Sequence, residues 1–233
     1  MDHIEFIILT LSGFLTVKFL AKWYWPIFCA WPAGRGRLGR AMLCLLPVAA
    51  LAVIVVTLTT WAASDVVGSP LFILFYTLLG FAWLHLGVFI MDALFDLSWR
   101  DDILGMGNRA ALWALSGGFL GFTVIYAAAN IGDGPGWWCV AFAGGLGLAA
   151  WVALALLVNR LTDVFERVTV GRDVACGVRF GCYLLASGVI LGRASSGDWT
   201  SFPMTVVEFG AGWPALPLAG AAVIGERLFK RHG

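Results

Sequence analysis

In a chain this apolar, the side chains able to do chemistry are few and can be weighed one by one. His85, Asp92 and Asp96 follow one another at spacings of seven and four residues. At about 100° per residue in a helix, all three fall within about 20° either side of one line. An imidazole that titrates near neutral pH, followed by two carboxylates, is a pattern suited to a proton or ion relay. Arg179 enters a later apolar run at a similar distance from its end. Asp92 or Asp96 is its expected partner, because an unpaired guanidinium in lipid is costly. Glu208 precedes "GAGWPALP", where Pro214 and Pro217 should kink or break a helix, and a broken helix can line a substrate site. A structural reading stands beside this one: Asp92 and Asp96 as interfacial residues, Arg179 snorkelling to the surface, and His85 bonded to a neighbouring helix.

Positioning these residues falls to membrane helices. Of the residues, 61% are hydrophobic and only 12% charged, which marks an integral membrane protein. Seven nearly uncharged runs are each long enough to cross a hydrocarbon core. They are Ile4 to Trp23, Ala41 to Ala62, Leu71 to Met91, Ala110 to Ala129, Trp137 to Val158, Val174 to Gly192 and Met204 to Ile224. The expected fold is an all-α, polytopic transmembrane helix bundle of about seven helices with short connections. Continuous apolar runs, with no alternation, argue against a barrel. The first run is read as retained rather than cleaved, since Asp2, His3 and Glu5 lead it and no small-residue cleavage pattern follows. The five cysteines, Cys29, Cys44, Cys139, Cys176 and Cys182, form no CxxC pair and are read as buried free thiols. There is no phosphate-binding loop, no metal-ligand cluster and no nucleophile with a base beside it. No catalytic residue, metal, cofactor or enzyme activity is therefore expected, and a net charge of +1 carries no nucleic-acid signal.

Basic residues set the orientation. Arg35, Arg37 and Arg40 lie between the first two segments, Arg100 and Arg109 between the third and fourth, and Arg160, Arg167 and Arg172 between the fifth and sixth. Arg227, Lys230 and Arg231 close the chain. The alternate connections "SDVVGSP" and "NIGDGPG" have no Lys or Arg, and "RASSGDWTSFP" has only Arg193. The positive-inside rule then places the N-terminus outside and the C-terminus in the cytoplasm. Trp199, Phe202 and the "GPGWW" loop supply aromatic residues for the outer interface; Trp23, Tyr24, Trp25 and Trp31 supply them for the inner one.

The line "GNRAALWALSGGFLG" at Gly107 is echoed by "GRDVACGVRFGCYLL" at Gly171. Superposing the two also aligns Asp102 with Glu166, Ala111 with Ala175, Gly117 with Gly181 and Leu120 with Leu184. Each polar tripeptide, Gly107-Asn108-Arg109 and Gly171-Arg172-Asp173, opens a helix running outward after one running inward. Segments three plus four and five plus six thus read as parallel copies of a two-helix hairpin. Gly117 and Gly121, Gly177 and Gly181, and Gly188 and Gly192 have GxxxG spacing, which lets two helix backbones approach closely. Segments four and six are expected to pack at the pseudo-symmetric centre or across a protomer interface.

On these residues the chain resembles the YjfL-like bacterial inner-membrane family, domain of unknown function 350, over about residues 71–192. "MDALFDLSWRDDILGMGNRAALWALSGGFLGF" carries the first copy's pattern at Gly107, Asn108, Ala110, Ala111, Gly117 and Gly121. "GRDVACGVRFGCYLLASGVI" carries the second at Gly171, Ala175, Gly177 and Gly188, with Arg172 where Asn is usual. The resemblance implies an inner-membrane location and a loose link to envelope stress, and it brings no activity. Residues 1–63 form an N-terminal helical hairpin, 64–203 the duplicated four-helix core and 204–233 a C-terminal helix and tail. "LGRAMLCLL" at Leu38 faintly resembles a third copy.

Two functions remain open. One is an oligomerising or partner-anchoring membrane component, built on the GxxxG helices and binding partners at cytoplasmic loops 99–108 and 159–172. The other is a small ion or proton channel or transporter using the charged face of the third segment, its ion unknown. The few and end-placed charges favour the first. Under either, the lipid bilayer is the medium and a homo-oligomer or membrane complex the expected assembly.

Overall fold

In a computed structural model, residues 3–30 and 37–232 are described. Asp2, Trp31 and Arg35 lie outside the described residues, as does the side chain of Arg231. All seven predicted runs are helical, and among the described residues seven helical stretches are long and apolar enough to cross a membrane. They are built from α1 (His3–Trp25), α2 (Arg37–Thr60), α4 (Pro70–Phe95), α5 (Arg109–Ala129), α6 (Trp137–Thr162) and α8 (Val174–Ser195), with α9 (Phe202–Phe209) and α10 (Ala215–His232) sharing the seventh. Short helices α3 (Ser64–Val67) and α7 (Val164–Thr169) lie in connections, and a π-helical turn, Trp99–Gly105, joins α4 to α5.

Local sequence explains where these helices start and stop. Ser69 caps α4 by accepting from the Phe72 amide, with Pro70 at the first helical position, where its missing N–H costs nothing. Ser201 accepts from the Met204 amide to open α9. As the prolines predict, the seventh span is interrupted, passing through a 3-10 turn at Gly210–Gly212 before α10.

Helix α5 is the axis of the bundle. Between Ala110 and Ala129 only Trp113, Leu120 and Val124 escape full burial. It packs against α2, α4, α6 and α8, while α1 lies on α4 and α10 covers α6 and α8. Contact between α5 and α8 is backbone on backbone. A Cβ at Gly117 would lie 2.0 Å from the Gly181 carbonyl oxygen, and one at Gly177 2.4 Å from that of Ala110. Gly181, Gly121 and Gly188 continue the seam against Trp113, Leu184 and Gly121, and Gly192 ends it beside Val124 and Ala128. Residue numbers rise together along both helices, so they run parallel. The glycine stripe therefore joins segments four and six within one chain.

Aromatic side chains fill the rest of the centre. Trp23 lies 5.5 Å from Phe119, Phe95 lies 5.6 Å from Trp151, and Phe165 lies 4.9 Å from Phe95. The indole N–H of Trp151 donates to the Leu184 carbonyl at 2.8 Å, and that of Trp23 to Leu43 at 2.9 Å. Trp23 is thus a core residue, not a belt residue, because α1 turns it onto α2 and α5; Trp25 faces outward as expected. The five cysteines are free, but only Cys139 and Cys176 are buried. Cys29 and Cys182 are exposed and Cys44 is half-buried, since each apolar helix has a lipid side as well as a core side.

Candidate functional site

A dense charge cluster lies where α7, α8 and α10 meet. Glu226 of α10 is 4% exposed. Its Oε1 accepts from Arg179 Nε at 2.5 Å, and its Oε2 accepts from Arg179 Nη2 at 2.9 Å and Arg167 Nη1 at 2.6 Å. Arg167 Nη2 donates in turn to Asp173 at 2.8 Å. The Cys176 backbone amide and the Arg167 guanidinium together hold the Asp173 carboxyl below its ordinary range. One buried carboxylate thus neutralises two arginines and ties α10 to the core.

This network corrects the expected pairing of Arg179 with Asp92 or Asp96. Both aspartates are exposed, Asp92 late in α4 and Asp96 just beyond it. Matching depth placed them at the level of Arg179, but depth does not fix the side of the bundle, and α8 turns Arg179 towards α10. Asp96 serves the backbone instead, closing α4 in the left-handed conformation at φ 51° with its amide bonded to the Met91 carbonyl. His85 is half-buried, 5.9 Å from the Phe19 ring on α1. His85 and Asp92 line a crevice of about 110 Å³ with Lys22, Ser98 and Arg100, between α1, α4 and the π turn. Of the four groups in the relay idea, only these two are brought together. Glu208 is exposed and lies at the opposite end, on a cleft of about 90 Å³ that Glu5, Asp65, Asp133 and Asp198 also line. That cleft reaches inward as far as Tyr76, whose carbonyl accepts the buried Tyr126 hydroxyl at 2.5 Å. Among the described residues no group of three or more His, Cys, Asp or Glu side chains could hold a metal ion.

The two polar tripeptides form matching turns, in a register one residue away from the sequence alignment. Asn108 caps α5, its Oδ1 accepting from the amides of Ala110 and Ala111, and Asp173 caps α8 by accepting from Cys176. The residue before each cap is left-handed, Gly107 at φ 66° and Arg172 at φ 52°. Asp96 and Asp163, at φ 51° and 56°, end the preceding helices alike. In structure, then, Gly107-Asn108 corresponds to Arg172-Asp173, not to Gly171-Arg172, because an N-cap needs a short side-chain acceptor and Asp173 supplies it. Asn108 does more than cap. It is 2% exposed, and its Nδ2 donates to the carbonyls of Val168 at 2.8 Å and Thr169 at 3.2 Å, joining the two turns. Arg172 stays exposed, its Nη2 3.0 Å from the Met106 sulfur. Gly171 is also exposed, and a Cβ there would lie 2.9 Å from the Arg167 carbonyl oxygen.

Sequence reasoning missed Glu226, Lys22 and Asp173 as site residues. Glu226 does carry a signal: it is the lone carboxylate in the basic tail "GERLFKRHG".

Residues 49–195, more than half of the chain, match a family model described as Domain of Unknown Function (DUF350). No curated protein and no solved structure matches the chain.

Proposed function

Since the chain belongs to the Domain of Unknown Function (DUF350) family, which supplies no activity, its function has to be read from its own geometry. We propose that it is a non-conducting, partner-anchoring component of the bacterial inner membrane, with its basic end in the cytoplasm. One observation carries this: most polar groups inside the bundle are satisfied locally, the Thr77 and Tyr183 hydroxyls being left without a partner, and together they form no path. The buried hydroxyls of Ser116, Thr123, Ser187 and Ser195 each donate to a carbonyl four residues back on their own helix. Among the described residues the buried carboxylates, Asp102 and Glu226, both lie near the basic end. Aromatic rings and the glycine seam occupy the level between. A relay needs groups within reach of one another across the whole thickness, which speaks against a conduit through a single chain.

Partner binding at the basic end is favoured by apolar side chains where water and headgroups are expected. Val170 is 73% exposed and Met106 48%, on the two turns that Asn108 joins, with Arg109 and Arg172 exposed beside them. A rigid turn pair with apolar tips rimmed by arginine fits a protein surface. Self-association through the glycine stripe is disfavoured, as that stripe is used inside the chain.

Proton and potassium flux into liposomes carrying the purified protein should match that of empty vesicles. A photo-crosslinker at Val170 should capture a discrete membrane or cytoplasmic protein in cells, and Arg172→Glu should reduce the yield at equal expression. Flux that Asp92→Asn removes would overturn the proposal in favour of a conduit.

A further inference from the structure

We propose that the crevice between α1, α4 and the π turn is a binding site for an anionic phospholipid, with the phosphate held between Lys22 and Arg100. Arg100 is anchored without being neutralised. Its Nη2 donates to the Lys22 carbonyl at 3.2 Å, and its guanidinium carbon lies 5.1 Å from the Trp99 ring centre. Its Nε is shielded from solvent and has no partner. Among the described residues neither Arg100 nor Lys22 forms an ion pair. Arg167 and Arg179, by contrast, each have a carboxylate to meet in Glu226. Two cations lining the same crevice, one with a desolvated and idle N–H, call for an anion from outside the chain.

Shape and surroundings indicate a lipid. The cations form the shared wall of two hollows: the crevice of about 110 Å³, and an adjoining apolar groove of about 600 Å³ lined by Tyr24, Trp25 and Phe28. From the cations the crevice runs deeper along Val88 and Phe89, and Phe89 is 62% exposed, so it opens towards the acyl chains. A phosphate at Lys22 and Arg100 with one chain along Val88 and Phe89 places headgroup and tail at the depths each requires. Asp92 lines the same crevice. Two cations against one carboxylate leave the crevice net positive, which favours a lipid of net negative charge over a zwitterionic one. Selectivity for a net-anionic headgroup is thus built from a basic pocket between membrane helices.

The test is native mass spectrometry of the full chain in detergent, with phosphatidylglycerol or phosphatidylcholine added at equal concentration and inorganic phosphate as competitor. Wild type should retain phosphatidylglycerol several-fold more than phosphatidylcholine. Lys22→Gln and Arg100→Gln should each lower that retention by about fivefold. Arg227→Gln, removing another exposed cation at the same end, should leave it unchanged, and inorganic phosphate should not displace the lipid. Equal retention of both lipids by wild type sinks the proposal whether or not the variants fold. An equal loss in Arg227→Gln reduces it to diffuse charge attraction, and displacement by inorganic phosphate assigns the pocket to the free anion; either result overturns it.

Discussion

Glu226 shows how much a single side chain can settle. It is almost wholly buried and takes three hydrogen bonds from two arginines, so neutralising it strands both cations in a half-dry setting. Removing one partner of a buried pair costs about 3–5 kcal/mol; Arg167 and Arg179 are partly exposed and can reach for water, which places Glu226→Gln near the lower bound. Thermal unfolding in detergent should show that loss, whereas Glu208→Gln on the exposed α9 should change stability by less than about 0.5 kcal/mol. A double-mutant cycle of Arg179→Gln with Glu226→Gln should give coupling of about 1–3 kcal/mol, and the same cycle with Asp92→Asn should be additive. Coupling to Asp92 instead would restore the pairing that sequence spacing suggested. Spacing made Arg179 visible as a residue in need of a counter-charge. It could not name the partner, because helical periodicity reports which side chains share a face of one helix, and neighbours are chosen by how helices are arranged around α5. Glu226 was hidden for a second reason: one carboxylate among Arg227, Lys230 and Arg231 looks like part of a solvated tail until α10 is seen to fold back on α8.

At the scale of elements, the glycine seam between α5 and α8 holds the two hairpins together. Adding one methyl group at Gly181 would place it 2.3 Å from the Trp113 carbonyl oxygen, and backbone cannot yield as a side-chain tip can. Gly181→Ala should therefore destabilise the protein by about 1–3 kcal/mol or more. In Gly220→Ala, within α10, the new Cβ meets nothing within 4 Å, and it should stabilise by up to about 1 kcal/mol through the lower flexibility of the unfolded chain. Scanning calorimetry of the two variants in one detergent would read the contrast; equal shifts would mean that the helices are not in backbone contact. Gly121→Leu, for the same reason, should fail as a folding mutant and not as an association mutant. The spans, their order and the break near Pro214 were legible because each follows from local composition over a whole helix. The turns were less so. Asp96 and Asp163 adopt left-handed conformations that Asp visits only occasionally, and Arg172 one that sequence rules leave to Gly, Asn or Asp; only the position of Asp173 at the head of α8 shows which residue replaces Asn108.

For the whole molecule, the placement of charged residues gives the two ends different characters. Glu5, Asp65, Asp133, Asp198 and Glu208 gather on the cleft at one end, while Arg100, Arg109, Arg160, Arg167, Arg172, Arg227 and Lys230 lie at the other. The positive-inside rule acts on such loops during insertion, when the basic ones are retained in the cytoplasm. A green fluorescent protein fused at the C-terminus should therefore fluoresce, and alkaline phosphatase inserted between Gly134 and Pro135 should be active. The opposite pair of signals would turn the acidic cleft to the cytoplasm and leave Val170 and Met106 facing away from any cytoplasmic partner. It would leave the phospholipid crevice intact, because Lys22 and Arg100 would meet anionic headgroups in whichever leaflet they reach. The proposed orientation and the proposed lipid selectivity are thus separable, the first resting on loop charge during insertion and the second on two cations that the folded chain positions but does not neutralise.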